Sequence, residues 1–69
     1  MIELAHRMAY GIEVSLLWSK DTDSVLVAVN DERTGEIFAV EPPRERALDA
    51  FYHPYVYANA DGLAVAVAA

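Results

Sequence analysis

The segment ALDAFYHPYVYA, residues 47–58, holds the side chains of this chain that are best suited to chemistry. Three of the four tyrosines, Tyr52, Tyr55 and Tyr57, flank a histidine, His53. An imidazole can act as a general base, and tyrosine hydroxyls can bind or orient a ligand. These four residues are therefore a candidate ligand-binding patch, catalytic pocket or interface with a partner.

A structural role explains the same residues without any chemistry. Pro54 can end a helix, and His53 would then lie at the helix C-terminus, where a positive charge is favourable. Aromatic side chains at helical spacing usually belong to a core. The sequence supports no catalytic triad, since it has no cysteine and no serine or second histidine suitably placed. We therefore assign no catalytic residue and favour a protein that is not an enzyme; the alternative is an active site at a dimer interface.

The sequence predicts no metal and no cofactor. Asp21 and Asp23 alternate as at the start of a calcium loop, but aliphatic residues follow where a further ligand and a glycine are needed. The two histidines, His6 and His53, are far apart and lack the spacing of zinc ligands.

Charge and hydropathy restrict the partners and the location. The formal net charge is −6, and five basic residues are scattered along the chain. Phosphate backbones require a basic surface, so we expect no nucleic acid, and an acidic mimic of nucleic acid stays a minor alternative. Residues 1–9 have no signal-peptide pattern, and no apolar run is long enough to span a membrane. The expectation is a soluble cytoplasmic protein.

Apolar residues at every second position predict three strands. GIEVSLLW (11–18) alternates, VLVAV (25–29) is apolar on both faces as a central strand would be, and IFAV (37–40) is the third. Polar turns separate them, and Gly35 is expected to supply a positive φ in the second turn. The pattern predicts an antiparallel meander.

A helix is predicted after the third strand. Pro43 is the expected first helical residue, and Pro54 should end the regular helix near Tyr52 or His53. One apolar stripe with spacing i, i+3, i+4 and i+7 should face the sheet. Its members are Leu48, Phe51, Tyr52 and Tyr55.

The predicted fold class is therefore α+β: a three-stranded antiparallel β-meander followed by one helix packed on the sheet. Residues 1–69 are expected to form one small domain with its core in 11–58. The expected core face carries Ile12, Val14, Leu16, Trp18, Val25, Val27 and Val29, with either Phe38 and Val40 or Ile37 and Ala39.

The two ends of the chain leave alternatives open. Residues 59–62 are typical of a turn, and LAVAVA (63–68) fits either an extra edge strand or a frayed terminus. MIELA (1–5) raises the same question.

The second face of the predicted sheet suggests an interface. Leu17, Leu26 and Ala28 make this face moderately apolar, and one short helix cannot cover both faces. The terminal segments could fold back over it, or a partner could. A chain of 69 residues without cysteine gains burial most readily from a second subunit. We predict a non-enzymatic interaction module, a homodimer through its sheet, with a protein partner as a further possibility and Tyr52 and Tyr57 as the most exposed tyrosines.

Three motifs, GIEV (11–14), DERTG (31–35) and ALDAF followed by HPY (47–55), resemble those of a group of short uncharacterised actinobacterial proteins. The resemblance covers residues 11–58. It implies no activity for any residue.

Overall fold

The chain forms one antiparallel sheet with short helices on one of its faces. This computed structural model describes residues 1–58 and the backbone of residues 64–66. The strands follow one another in chain order across the sheet. They are β1 (Ile2–Ala9), β2 (Ile12–Ser19), β3 (Ser24–Asp31), β4 (Glu36–Val40) and the short β5 (Ala64–Ala66).

The predicted α+β class and meander are confirmed, but the predicted number of three strands is wrong. The N-terminal segment is an eight-residue strand that pairs with β2, so it extends the sheet and does not fold over either face. A two-residue turn, Tyr10–Gly11, makes this pairing local, and a local hairpin costs little chain entropy. Of the two alternatives left open for residues 63–68, the edge strand is the one found over Ala64–Ala66, which pairs with β4. The turn predicted at 59–62 lies outside the described residues.

The core lies between the sheet and the helices, on the predicted face. Strand register resolves the choice that the sequence left open, because Val40 pairs with Val27 and Phe38 pairs with Val29. Phe38 and Val40 therefore share the core face. The buried apolar side chains of this cluster are Val14, Leu16, Val25, Val27, Val29, Val40, Ala50, Phe51 and Tyr57, and Ile12, Trp18 and Phe38 pack against them.

The helical segment is more broken than predicted. It consists of a single 3₁₀ turn (Arg44–Arg46), α1 (Ala47–Tyr52) and α2 (Pro54–Ala58). Pro43 is not the first helical residue but the residue before it, with an extended ψ of 148°. The predicted end of the helix at Tyr52 is confirmed, and Pro54 starts a fresh turn. None of the helices in the described part of the chain is long and apolar enough to cross a bilayer.

The predicted apolar stripe is wrong in three of its four positions. Phe51 is buried, but Leu48 is 61% exposed, and Tyr52 and Tyr55 are exposed as well. The break at His53 resets the helical phase, so α2 presents Pro54 and Tyr57 to the core in place of Tyr55.

Candidate functional site

The candidate residues around His53 line an open groove of about 350 Å³ at one end of the sheet. One wall comes from the tip of the β1–β2 hairpin, and the other comes from the junction of α1 and α2. Most of the surface is apolar or aromatic. The lining residues are Arg7, Ala9, Tyr10, Ile12, Tyr52, His53, Pro54, Tyr55 and Val56.

Arg7 joins the two walls of the groove. It lies on the core face of β1, opposite Val14, and reaches across to the end of α1. Its Nη2 donates hydrogen bonds to the carbonyl oxygens of Phe51 (2.9 Å) and Tyr52 (3.3 Å), and its Nε donates to Phe51 (3.2 Å). Carbonyls in the last turn of a helix have no helical donor, so a cation there satisfies them and favours the dipole.

The guanidinium of Arg7 is also held by aromatic faces. Its Cζ lies 5.4 Å from the centre of the Phe51 ring and 5.9 Å from that of Tyr52, within the range of cation–π attraction. The ion pairs among the described residues involve other side chains, so Arg7 has no carboxylate partner there. Within residues 1–58, this half-buried positive charge is therefore balanced by carbonyls and rings.

Tyr10 stands at the rim of the groove in an unfavourable backbone conformation. It is 90% exposed, and with Gly11 it forms the β1–β2 turn at φ values of 54° and 77°. Both values fit a two-residue hairpin turn that normally carries Asn-Gly or Gly-Gly. Gly11 suits its place, since an added Cβ would lie 3.0 Å from Cγ of Arg33. Tyr10 does not suit the turn and contributes nothing to the core.

Replacing Tyr10 by asparagine should therefore stabilise the fold. We expect Tyr10→Asn to raise the free energy of unfolding by about 0.5–1 kcal/mol, because asparagine tolerates a positive φ better than other non-glycine residues. Tyr10→Ala, which removes the ring but keeps the strain, should give no gain. Urea denaturation followed by circular dichroism measures both. Equal or lower stability of the asparagine variant would show that the ring of Tyr10 stabilises the fold.

A buried carboxylate fixes α2 behind the groove. Asp31 is only 3% exposed and lies at the end of β3. Its carboxylate accepts hydrogen bonds from Nε (3.1 Å) and Nη2 (3.0 Å) of Arg33 and from the Tyr55 hydroxyl (2.9 Å). The Tyr55 ring also packs edge-on against Phe38, with 5.2 Å between centroids. The position of one groove wall therefore depends on a charged residue of the sheet.

The ionisation of this cluster follows from its contacts. The hydrogen bonds from the Arg33 side chain lower the pKa of Asp31 well below its ordinary value of 3.8; burial opposes this shift, and the bond from Tyr55 adds to it. Burial and then the bond to Asp31 raise the pKa of the Tyr55 hydroxyl, so the tyrosine is a neutral donor. The group is an ion pair with a hydrogen-bonded phenol, not an acid–base pair poised for catalysis.

The structure brings together three of the four predicted patch residues. Tyr52, His53 and Tyr55 line the groove, and Tyr52 is exposed as predicted. Tyr57 does not belong to the patch, contrary to the expectation that it is exposed. It is 8% exposed, and its hydroxyl donates to Asp49, because the helix that starts at Pro54 turns it inwards.

The predicted sheet-face residues lie together on the other face. Leu17 and Leu26 are directly paired across β2 and β3, and Ala28 pairs with Ala39 of β4. Leu17, Leu26 and Ala28 are half-buried. The helices belong to the opposite, core face, so they leave these three residues uncovered.

Sequence reasoning missed the residues that complete the groove. Arg7 and Tyr10 were assigned to no element, although an alternating segment followed by a turn with glycine in its second place is a hairpin signal. Asp31 continues the alternation of Val25, Val27 and Val29 on the core face, and that phase could have marked it as a buried carboxylate.

The comparisons with known proteins add no activity to this geometry. No family model, curated protein or solved structure matches the chain. Among the described residues, no group of three or more His, Cys, Asp or Glu side chains could hold a metal ion. The resemblance of residues 11–58 to actinobacterial proteins stays a prediction.

Proposed function

We propose that this chain is a small, non-enzymatic protein-interaction module that self-associates through the open face of its sheet. The observation that carries the proposal is the apolar centre of that face. Leu17, Leu26 and Ala28 lie side by side on β2 and β3 and are half-buried, Ala39 beside Ala28 on β4 is itself buried, and the helices pack on the opposite face.

The composition of the open face favours a second sheet as its partner. Ser15, Ala28 and Ala39 are small residues paired across β2, β3 and β4. Small side chains at the centre let two sheets approach to about 10 Å, the usual spacing of stacked sheets. A second copy provides the same surface, and a two-fold interface uses one surface from each subunit.

Polar residues form part of the rim of this face, beside the exposed apolar side chains of Met8 and Ile37. Asn30 and Ser24 lie towards the two ends of β3, and His6 on β1 is hydrogen-bonded to Glu13 on β2 at 2.9 Å. An apolar centre with a polar rim is the usual anatomy of a specific interface.

The size of the face is consistent with a weak dimer. Without the short β5, the face has four strands about 4.8 Å apart and up to about 25 Å long, which offer roughly 500 Å² per protomer, or about 1,000 Å² in total. This area is at the lower limit for specific complexes. Each protomer also carries a net charge of −6, so repulsion opposes association at low ionic strength. We therefore expect a micromolar dimer that salt strengthens.

Sedimentation equilibrium at micromolar concentration tests this proposal. Leu26→Glu should convert the dimer into a monomer, since it places a charge at the centre of each copy of the interface. Leu48→Glu is the matched control, because the same substitution on the exposed side of α1 should leave the association unchanged. The double variant Leu17→Thr/Leu26→Thr removes apolar surface without adding charge and keeps a high strand propensity.

The outcomes separate the alternatives. If the native protein stayed monomeric at every salt concentration and at protein concentrations up to roughly 1 mM, self-association would be contradicted. Any dimer would then have a binding free energy weaker than about 4 kcal/mol. Equal loss of dimer in the Leu26 and Leu48 variants would show that charge in general, and not this face, controls assembly. Circular dichroism of each variant must show the native strand signal for the comparison to count.

A further inference from the structure

We propose that the groove between the β1–β2 hairpin and the α1–α2 junction binds a small apolar carboxylate, with Arg7 as its anion-binding residue. The groove lies on the helical side of the molecule, away from the open sheet face. The inference therefore does not depend on self-association.

The shape and the lining favour a small apolar body. The volume of about 350 Å³ lies at the lower end of the range for sites that bind small molecules. Ile12, Pro54 and Val56 supply aliphatic surface, and Tyr52 and Tyr10 supply rings at opposite walls. A ligand with a planar or aliphatic body can thus displace water from both walls.

The charge of the groove selects an anion. The chain has 11 acidic residues and five basic ones, yet none of the described residues that line this groove is acidic, and Arg7 and His53 are among them. Nε and Nη2 of Arg7 are bonded to helix carbonyls, whereas no bond from Nη1 to another described residue is found. Nη1 carries two N–H donors, so it can bind a carboxylate oxygen.

One guanidinium in an apolar groove fits a singly charged ligand better than a phosphate. Each additional charge must be desolvated, and a single half-buried arginine compensates only one. A monocarboxylate matches both the Arg7 guanidinium and the apolar walls. His53, at the rim, offers a further hydrogen bond to the second carboxylate oxygen.

The rim residue Tyr10 provides an independent observation. Its positive φ of 54° opposes folding, and its ring is almost fully exposed at the edge of the groove. Strained backbone often accompanies a functional position. The proposal gives a reason for an aromatic residue at a turn that favours asparagine: the ring of Tyr10 covers the bound ligand.

The test compares two probes of the same shape and different charge. Phenylacetate and its neutral amide, phenylacetamide, are titrated into the full chain at millimolar concentrations and followed by nitrogen–proton correlation spectra. We expect phenylacetate to shift the amide signals of residues that line the groove. It should bind about tenfold more tightly than phenylacetamide, the difference expected from one partly exposed charge-assisted hydrogen bond.

A pair of matched variants tests the role of charge without disturbing the helix cap. Val56 lines the groove and is exposed, so Val56→Glu and Val56→Gln should both fold. The glutamate should weaken the binding of phenylacetate several-fold through repulsion, and the glutamine should not. Neither change should affect the binding of phenylacetamide.

A second pair of variants tests Arg7 itself. Arg7→Met should abolish the difference in affinity between the two probes. Arg44→Met, the same substitution at a residue that lines another groove, should preserve that difference.

Equal affinity for the two probes would overturn the proposal, and so would shifts located outside the groove or no shifts at all.

The same titration is repeated on the Leu26→Glu variant. Binding that persists in that variant supports a site that one protomer forms alone. Binding that is lost in a folded Leu26→Glu monomer overturns the assignment to a single protomer, whatever the result for self-association.

Discussion

Phe51→Ala is expected to unfold most of the protein at room temperature. Phe51 is 4% exposed and packs between α1 and the central strands, and its ring also contacts the Arg7 guanidinium. Replacing a buried phenylalanine by alanine typically costs about 3–5 kcal/mol. A single core in a chain this short rarely provides more than about 3–5 kcal/mol of stability, so the loss is comparable to the whole.

Tyr52→Ala is the matched control for this prediction. Tyr52 is the next residue of α1 and also contacts Arg7, but it is 59% exposed. We expect this variant to remain folded, with a loss below about 1 kcal/mol. Thermal and urea unfolding followed by circular dichroism measure both variants. Cooperative unfolding of the Phe51 variant near the native midpoint would contradict the described core.

Asp31→Asn is expected to produce the second-largest effect and to change the response to acid. The pKa of Asp31 is lowered in the folded state by the Arg33 side chain, relative to 3.8 in the unfolded chain. At a pH well above 3.8, the Asp31 carboxylate is charged in both the folded and the unfolded protein, and the ion pair with Arg33 stabilises the folded state fully. As the pH falls below about 4, the unfolded state takes up the proton first, so this stabilisation is lost.

The native protein should therefore lose stability from about pH 4 downwards, and Asp31→Asn should lose less over the same interval. At neutral pH the variant should melt at least roughly 5 °C lower, because Arg33 and Tyr55 lose a charged acceptor. Asp21→Asn removes an exposed carboxylate in another turn and serves as the control. Parallel stability curves of the native and Asp31→Asn proteins against pH would contradict a lowered pKa.

The strands were predictable because their information is local. Alternation in 11–18 and the β-branched run in 25–29 place side chains on two faces whatever the rest of the chain does, since successive strand residues point to opposite sides. The core face was therefore identified residue by residue. The pairing of Phe38 with Val29 was not, because a strand of five residues supports either register until its partner is known.

The helix was less predictable because the directions of its side chains depend on the backbone dihedral angles of a single residue, His53. The stripe of Leu48, Phe51, Tyr52 and Tyr55 assumes continuous 3.6-residue periodicity. His53 has φ −133° and ψ 55°, which is not helical, so every later side chain is rotated relative to that pattern. Pro54 signalled the break but not the new orientation, and Tyr57 was therefore expected outside the core.

The sequence by itself determined the fold class, the core face of the meander, the end of α1 and the grouping of Tyr52, His53 and Tyr55. All of these depend on residues close to one another in the chain. Only the tertiary structure decided that Arg7 meets the carbonyl of Phe51, 44 positions away, and that Tyr55 meets Asp31. Such contacts depend on how the sheet and helices pack, and no local periodicity encodes them. The segment ALDAFYHPYVYA supplies one wall of a groove, and the N-terminal hairpin supplies the other wall and the positive charge.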